Sequence, residues 1–179
     1  MTANNELSAS GPRPCGSCSL CCKLYEVPEL DKPVYQWCRH FAKGKGCTIH
    51  ATRPDVCRNY QCAWSHNTVL DDSWRPDNAH FIMEARENEL TIIPDPAFPD
   101  AWRREPYHSR IRALAVRNGP VFTLVLLRYK GRIIIVFPEA EIDLGPNQPD
   151  MMIFSGYEMR GAKRAPYARF GPKPASAPA

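Results

Sequence analysis

"CGSCSLCC", residues 15–22, sets four cysteines into eight residues, and whatever holds four sulfurs this close decides how the N-terminal third of the chain is built. The run reads C-x2-C-x2-C-C over Cys15, Cys18, Cys21 and Cys22, then leaves fifteen residues to Cys38, eight to Cys47, nine to Cys57 and four to Cys62. Two cysteines separated by two residues let one turn of backbone present two thiolates to the same metal, which is why this spacing recurs in zinc and iron–sulfur sites. Here the device is repeated, so Cys15, Cys18 and Cys21 are suited to wrap three thiolates around one centre. The fourth ligand then comes from Cys22 or from any later cysteine. The first three positions are shared with the bacterial ferredoxin pattern C-x2-C-x2-C-x3-C-P, but the closing Cys-Pro is missing and the run occurs once.

Neighbouring side chains on a backbone point in different directions, so Cys21 and Cys22 are not equivalent ligands of one ion. One of them serves a second site or is structural. Eight thiolates are enough for two four-coordinate centres, and the segment carries cations of the right sign to offset them. Lys23, Lys32, Arg39, Lys43, Lys45, Arg53 and Arg58 outnumber Glu26, Glu29, Asp31 and Asp55 by seven to four. A tetrathiolate zinc site or a cubane cluster is net negative, and nearby cations and backbone N–H groups lower its cost. His40 and His50 are read as surface or supporting residues in preference to ligands.

The same even count of cysteines would suit four disulfides in a small exported protein. The opening "MTANNELSASGPRP" has no basic start followed by an apolar run, and the longest apolar runs, "VFTLVLL" and "IIIVF", are strand-sized. The expectation is therefore a soluble cytoplasmic chain with no membrane partner, in which clustered thiols point to metal or redox chemistry. At 179 residues with 44% hydrophobic residues, the chain supports one good core with a small appended lobe. The net charge of +4 is local: Arg160, Lys163, Arg164, Arg169 and Lys173 all follow the last acidic residue, Glu158. Without those five, 18 basic residues stand against 19 acidic ones, a net of −1. A nucleic-acid partner is accordingly disfavoured.

Four stretches follow. Residues 1–14 read as a disordered lead, 15–78 as the cysteine-cluster metal-binding region, 79–145 as an α+β region of the same compact unit, and 146–179 as a loop and disordered basic tail rich in Pro and Gly. Within the α+β region, "HFIMEA" (80–85) and "LTIIP" (90–94) flank the polar "RENE" as a hairpin. Pro106 opens a helix with Tyr107, Ile111 and Leu114 at i, i+4 and i+7, ending at "NG" with Gly119 as cap. "VFTLVLLRY" and "RIIIVF" flank a tight turn at Lys130-Gly131 and are apolar enough on both faces for the middle of a sheet. The fold class is α+β: an irregular cysteine-rich N-terminal metal-binding lobe plus a small antiparallel sheet with one main helix.

"CGSCSLCC", "WCRHF", "GCTIHATRPDVCRNYQC" and "WRPD", in this order, resemble the YkgJ-type cysteine-cluster family, whose signature is CxxCxxCC and whose members are described as zinc- or iron-chelating. The resemblance covers about residues 15–78. It implies metal-linked roles for Cys15, Cys18, Cys21, Cys22, Cys38, Cys47 and Cys57, with Arg53, Pro54 and Arg58 from the "RPDVCR" element and Cys62 as the last cysteine. The family often has tyrosine where this chain has His50, which argues against an essential histidine ligand. Flagellin lysine methylases carry a similar motif linked to an iron–sulfur cluster, but no S-adenosylmethionine site is recognisable here and the radical-enzyme pattern C-x3-C-x2-C is not present.

Two functions compete. The first is a cysteine-cluster protein whose metal is redox-active or supports a modification reaction, with iron–sulfur favoured over zinc because eight cysteines exceed what one structural zinc needs. The second is a non-catalytic module stapled by zinc, whose α+β region recruits a protein partner. Arg53 and Arg58, on either side of Cys57, are the candidates for holding an anion or cofactor beside the metal. Hydrolase chemistry has little support: Asp71-Asp72 reads as a turn or cap, and there is no Gly-rich phosphate loop.

Overall fold

Alternation along one strand organises the molecule. In the computed structural model, which describes residues 13–86, 89–115 and 124–173 (backbone alone for 124–128), Phe81 and Met83 of the strand Phe81–Arg86 enter one core. Ile82 enters another, and Glu84 bonds to Tyr25 of the cysteine lobe. Successive side chains of a strand point to opposite faces, so this strand reads both sides of the sheet.

The cysteine region is built from fragments: α1 (Cys21–Leu24), β1 (Phe41–Ala42), β2 (Gly46–Cys47), α2 (Asp55–Arg58), α3 (Ala63–His66) and α4 (Pro76–Ala79), joined by turns. β3 (Phe81–Arg86), β4 (Glu89–Pro94), α5 (Tyr107–Leu114), β5 (Leu124–Tyr129), β6 (Arg132–Val136) and β7 (Glu141–Pro146) follow, and then β8 (Met151–Arg160) and β9 (Lys163–Pro172). The architecture is mixed α+β, and α5 is the one helix of seven or more residues among those described. β3 to β7 form a five-stranded sheet in the order β3-β4-β5-β6-β7. The other two sheets are the two-stranded ribbons β1-β2 and β8-β9.

All neighbours in the large sheet are antiparallel except β4 and β5, which pair in parallel. Within the antiparallel sheet expected, this one pair is the exception. The cause is the connection: the chain between β4 and β5 carries α5, and a crossover of that length returns the next strand in the same direction where a tight turn cannot. The β5–β6 link is the tight turn anticipated, with both Lys130 (φ 47) and Gly131 (φ 75) in the left-handed region, as a type I′ hairpin requires.

Trp64, Trp74, Phe81, Ile92, Trp102, Tyr107, Ile111 and Val136 make the main core on the α5 side. The opposite face is shared. At the β3 end it carries the cysteine lobe through Leu20, Leu24 and Ile82, and at the β6 end Ile133, Ile135 and Phe137 meet Ile153, Tyr157, Ala168 and Phe170 of β8 and β9.

The hairpin β8–β9 corrects the reading of residues 146–179 as loop and disordered tail. Glycines taken there for loop formers instead make room for rings. A Cβ on Gly171 would meet the Phe154 ring at 2.7 Å, and one on Gly156 would meet Tyr167 at 3.4 Å. Pro166 and Pro172 are tolerated because a two-stranded ribbon has free edges. Residues 174–179, the helix end at Gly119 and residues 1–12 of the lead lie outside the described residues. Arg13 is not a free lead: its N–H donates to the Ser65 carbonyl at 2.7 Å, and its guanidinium lies over the Trp64 ring at 4.2 Å and donates to the Trp64 and Asn67 carbonyls.

In α5, Tyr107 and Ile111 are buried as the periodicity predicts, but Leu114 is 46% exposed on the last turn. Ile111→Ala is therefore expected to lower the unfolding free energy by about 2–5 kcal/mol, and Leu114→Ala by under about 0.5 kcal/mol, as read from urea denaturation midpoints. Equal losses would show that the two positions share one environment.

Candidate metal centre

Short-range backbone bonds set the positions of the thiols. Gly16 takes φ 57 between Cys15 and Cys18, and the Cys18 N–H closes the turn on the Cys15 carbonyl at 2.9 Å. The Cys22 N–H then bonds to the Ser19 carbonyl at 2.8 Å as α1 begins. Leu20 and Leu24, buried against Ile82, hold this turn and a half to the sheet, and Cys21 packs on the same cluster. The Cys22 carbonyl accepts from the Cys38 N–H at 3.0 Å, and the Cys38 carbonyl from Phe41 at 2.9 Å, where β1 starts and pairs Phe41 with Cys47. Gly46 (φ 82) lies so close to the first turn that a Cβ there would meet the Gly16 carbonyl oxygen at 2.9 Å. Arg53 spans the next turn, donating to the carbonyls of His50 at 2.6 Å and Cys57 at 3.3 Å.

All eight predicted cysteines are free thiols; Cys38 is buried, Cys15 exposed and the rest half-buried. Among the described residues no three Cys, His, Asp or Glu side chains close around one point as a finished metal cage. They do act on one another. Burial pushes the Cys18 thiol up to about 12, with the Asp77 carboxylate adding to it, while the backbone N–H groups of Leu20 and Asp77 favour the thiolate to a lesser degree. Cys21 is driven well above the usual thiol range by its hydrogen bond with Cys22, then by burial and by the charges of Cys22, Cys15 and Cys18. Cys22 moves the other way, to about 7, because the Cys21 thiol donates to it and Lys32 and Arg53 lie near, which together outweigh its burial. Burial also raises Cys15, helped by Cys62, and raises Cys47 and Cys57, helped by Cys22 and Cys38.

Such crowding means that each thiolate formed makes the next harder to form, and a bound cation relieves that repulsion. Thiolates are the donor type that zinc and iron–sulfur centres use, and Cys15, Cys18, Cys21, Cys22, Cys38, Cys47, Cys57 and Cys62 are the residues that could supply them.

The two arginines differ. Arg53 is turned into the lobe, and its charge acts on Cys15, Cys22 and Cys47. Arg58 faces outward, pairing with Asp55 at 3.6 Å and donating to the Arg53 carbonyl at 3.2 Å. The His40 and His50 backbones serve as acceptors, from Thr48 at 2.9 Å and Arg53 at 2.6 Å.

Three features escaped the sequence reading. Lys32 is only 5% exposed; its ammonium donates to the carbonyls of Lys23 and Tyr25 and faces Cys22, Cys38, Cys21 and Cys57, while burial lowers its pKa. Asp77, beside Cys18, is held by Arg75 at 2.6 Å. Tyr25 donates to Glu84 at 2.5 Å and lies 3.0 Å from the Tyr60 hydroxyl, and burial raises both phenols. Nothing in the ordinary-looking "LDKPV" marks its lysine as buried; only the Val27–Lys32 bridge, formed on folding, does so.

Comparison with protein-family models, with curated proteins and with solved structures finds no match.

In protein stripped of metal, Cys22 is expected to be the cysteine alkylated fastest by iodoacetamide at pH 7. Lys32→Met removes a cation that favours its thiolate, so the pKa of Cys22 rises, alkylation at pH 7 slows and the midpoint of the rate–pH curve moves upward. Peptide mass spectrometry reads this site by site, and an unmoved midpoint would show that Lys32 does not bear on Cys22.

Proposed function

We propose that this chain is a cysteine-cluster metalloprotein whose residues 15–62 hold an iron–sulfur cluster or zinc, of the kind that its CxxCxxCC signature resembles. The observation that carries the reading is the lobe itself: eight free thiols within one short segment, with the buried Lys32 and the inward Arg53 among them. Iron–sulfur is favoured, since eight sulfur donors exceed the need of one structural zinc and cations near thiolates moderate a cluster's negative charge. A bound cluster would supply electron transfer, or support a modification reaction; bound zinc would supply rigidity. The assignment belongs to a reducing compartment such as the cytoplasm, where thiols stay available to metal. No helix among the described residues is long and apolar enough to cross a membrane.

One observation favours the second reading, a zinc-stapled module for a protein partner. The hairpin β8–β9 exposes Met151, Met152, Phe154 and Met159, 37–66% accessible, beside the basic residues of the same ribbon. Adaptable methionine side chains are common on surfaces that bind other proteins.

Iron, zinc and acid-labile sulfide should be measured, with a visible spectrum, on full-length protein purified without oxygen. Iron with sulfide in wild type, reduced in Cys18→Ala and Cys47→Ala, is the expected result. Stoichiometric zinc in colourless protein would move the assignment to the binding module. Protein that neither retains nor takes up either metal would sink both readings.

A further inference from the structure

The cations that close the chain were read from the sequence as belonging to a disordered tail, and on that ground they carried no partner. The fold places them on an ordered ribbon. β8 and β9 pair over ten residues each with no register shift. One face of the ribbon, with Ile153, Tyr157, Ala168 and Phe170, is packed on Ile133, Ile135 and Phe137 of the large sheet.

Strand alternation therefore turns the other face away from the sheet. Met152, Phe154 and Arg160 of β8 and Lys163, Tyr167 and Arg169 of β9 stand on it, with Phe154 directly opposite Arg169 and Arg160 opposite Lys163. Two glycines shape this face. Gly171 leaves room for the Phe154 ring and Gly156 for the Tyr167 ring, so each ring lies across the partner strand. Phe154 keeps 37% of its surface in solvent. The two rings sit on diagonal positions of neighbouring strands, on the order of 7–8 Å apart.

Charge on the ribbon has one sign. Between Met151 and Lys173 there are five cations and a single acid, Glu158, which is taken by Arg160 at 2.8 Å. Among the described residues Lys163, Arg169 and Lys173 have no acidic partner, and the Arg169 guanidinium lies 5.6 Å from the centre of the Tyr167 ring. Aromatic faces on adjacent strands, flanked by free cations, match what an unpaired nucleotide chain presents: bases that stack on rings and phosphates that seek positive charge.

We infer that the outer face of the β8–β9 ribbon binds single-stranded nucleic acid, with bases on Phe154 and Tyr167 and phosphates on Arg169 and Lys163. A duplex keeps the faces of its bases covered by stacking and offers the rings nothing. An acidic protein would use the cations but not the pair of rings. A membrane surface calls for the apolar side chains on one side, whereas alternation parts Met152 and Phe154 from Met151 and Met159. No cysteine lies on the ribbon, so the inference does not rest on the metal reading.

The test is fluorescence anisotropy of full-length protein with labelled RNA and DNA single strands of about twelve nucleotides, and with the matching duplex. Single strands should bind more tightly than duplex. Phe154→Leu and Tyr167→Leu, which keep bulk over the glycines but lose the ring, should each weaken binding by about fivefold or more, and Phe154→Tyr should retain it. Arg169→Gln should lower the slope of log affinity against log salt by about 0.7. Tighter binding of RNA than of DNA would add a contact to the 2′-hydroxyl, and equal binding would restrict recognition to bases and phosphates; both support the inference. Should the leucine variants not fold, Arg169→Gln and Lys163→Gln decide: an unchanged salt slope in both overturns it. Ring variants without effect, with poly-glutamate competing as well as oligonucleotide, would assign the ribbon to an acidic protein and overturn it. Binding to anionic phospholipid vesicles but to neither single strand would do the same for a membrane, and no binding of either strand at about 50 mM salt overturns it outright.

Discussion

The cysteine lobe depends on Leu20 and Leu24 packing against Ile82. Helices of four residues and strands of two have too few internal hydrogen bonds to be stable alone, and the lobe's own elements bury almost no core. It borrows one from the back of the sheet. Each of these side chains contributes roughly 1.5–3 kcal/mol by leaving water, and the pair Lys23–Asp95, at 2.6 Å and largely buried, ties the same short helix to the end of β4. Because α1 also carries Cys21 and Cys22, the contact that attaches the lobe is also the one that places its two central thiols.

That attachment explains how a lysine comes to be buried among thiols. The Val27–Lys32 bridge turns the chain back under α1, so the ammonium loses water but gains two carbonyls, from Lys23 and Tyr25. An ammonium held this way by neutral acceptors still needs negative charge nearby, which Cys22, whose thiol pKa Lys32 helps to lower, is placed to supply as a thiolate. The lysine and the thiols thus each lower the other's cost of burial. On the sheet side, Glu84 takes the Tyr25 proton donor and Tyr25 in turn accompanies Tyr60, so the polar groups facing Cys21 and Cys62 are bonded to one another.

How far all this was legible follows from the range of the interactions involved. Short apolar runs beside polar turns marked β3, β4 and β6, and the periodicity of Tyr107 and Ile111 marked α5, because those patterns are local. The cysteine lobe was visible as a density of one residue type. What was not visible depends on contacts made at a distance: the parallel β4–β5 pair, set by the crossover through α5, and the pairing of β8 with β9, where Gly156 and Gly171 work as space for Tyr167 and Phe154. Among the candidate site residues, Arg53 and Arg58 look equivalent as neighbours of Cys57, and only the fold turns one inward and the other out to Asp55. In the sequence Lys32 is only one of seven cations, and neither its burial nor the place of Asp77 beside Cys18 shows until the lobe closes.

The two faces of the sheet are unequally provided for. On the α5 side twelve buried residues, three of them tryptophans, form one continuous cluster, whereas the lobe's cluster has three buried members. Most of the apolar free energy of folding therefore lies on the side away from the cysteines. A lobe so thinly supported is the part of the chain to which the proposed metal would add most, since binding to the folded form adds its free energy to that form alone. Under that proposal metal and lobe would be linked in one equilibrium, while the sheet with α5 buries a core of its own. This division of labour allows the cysteine segment to be irregular: its order comes from what it is packed on, and not from its own secondary structure.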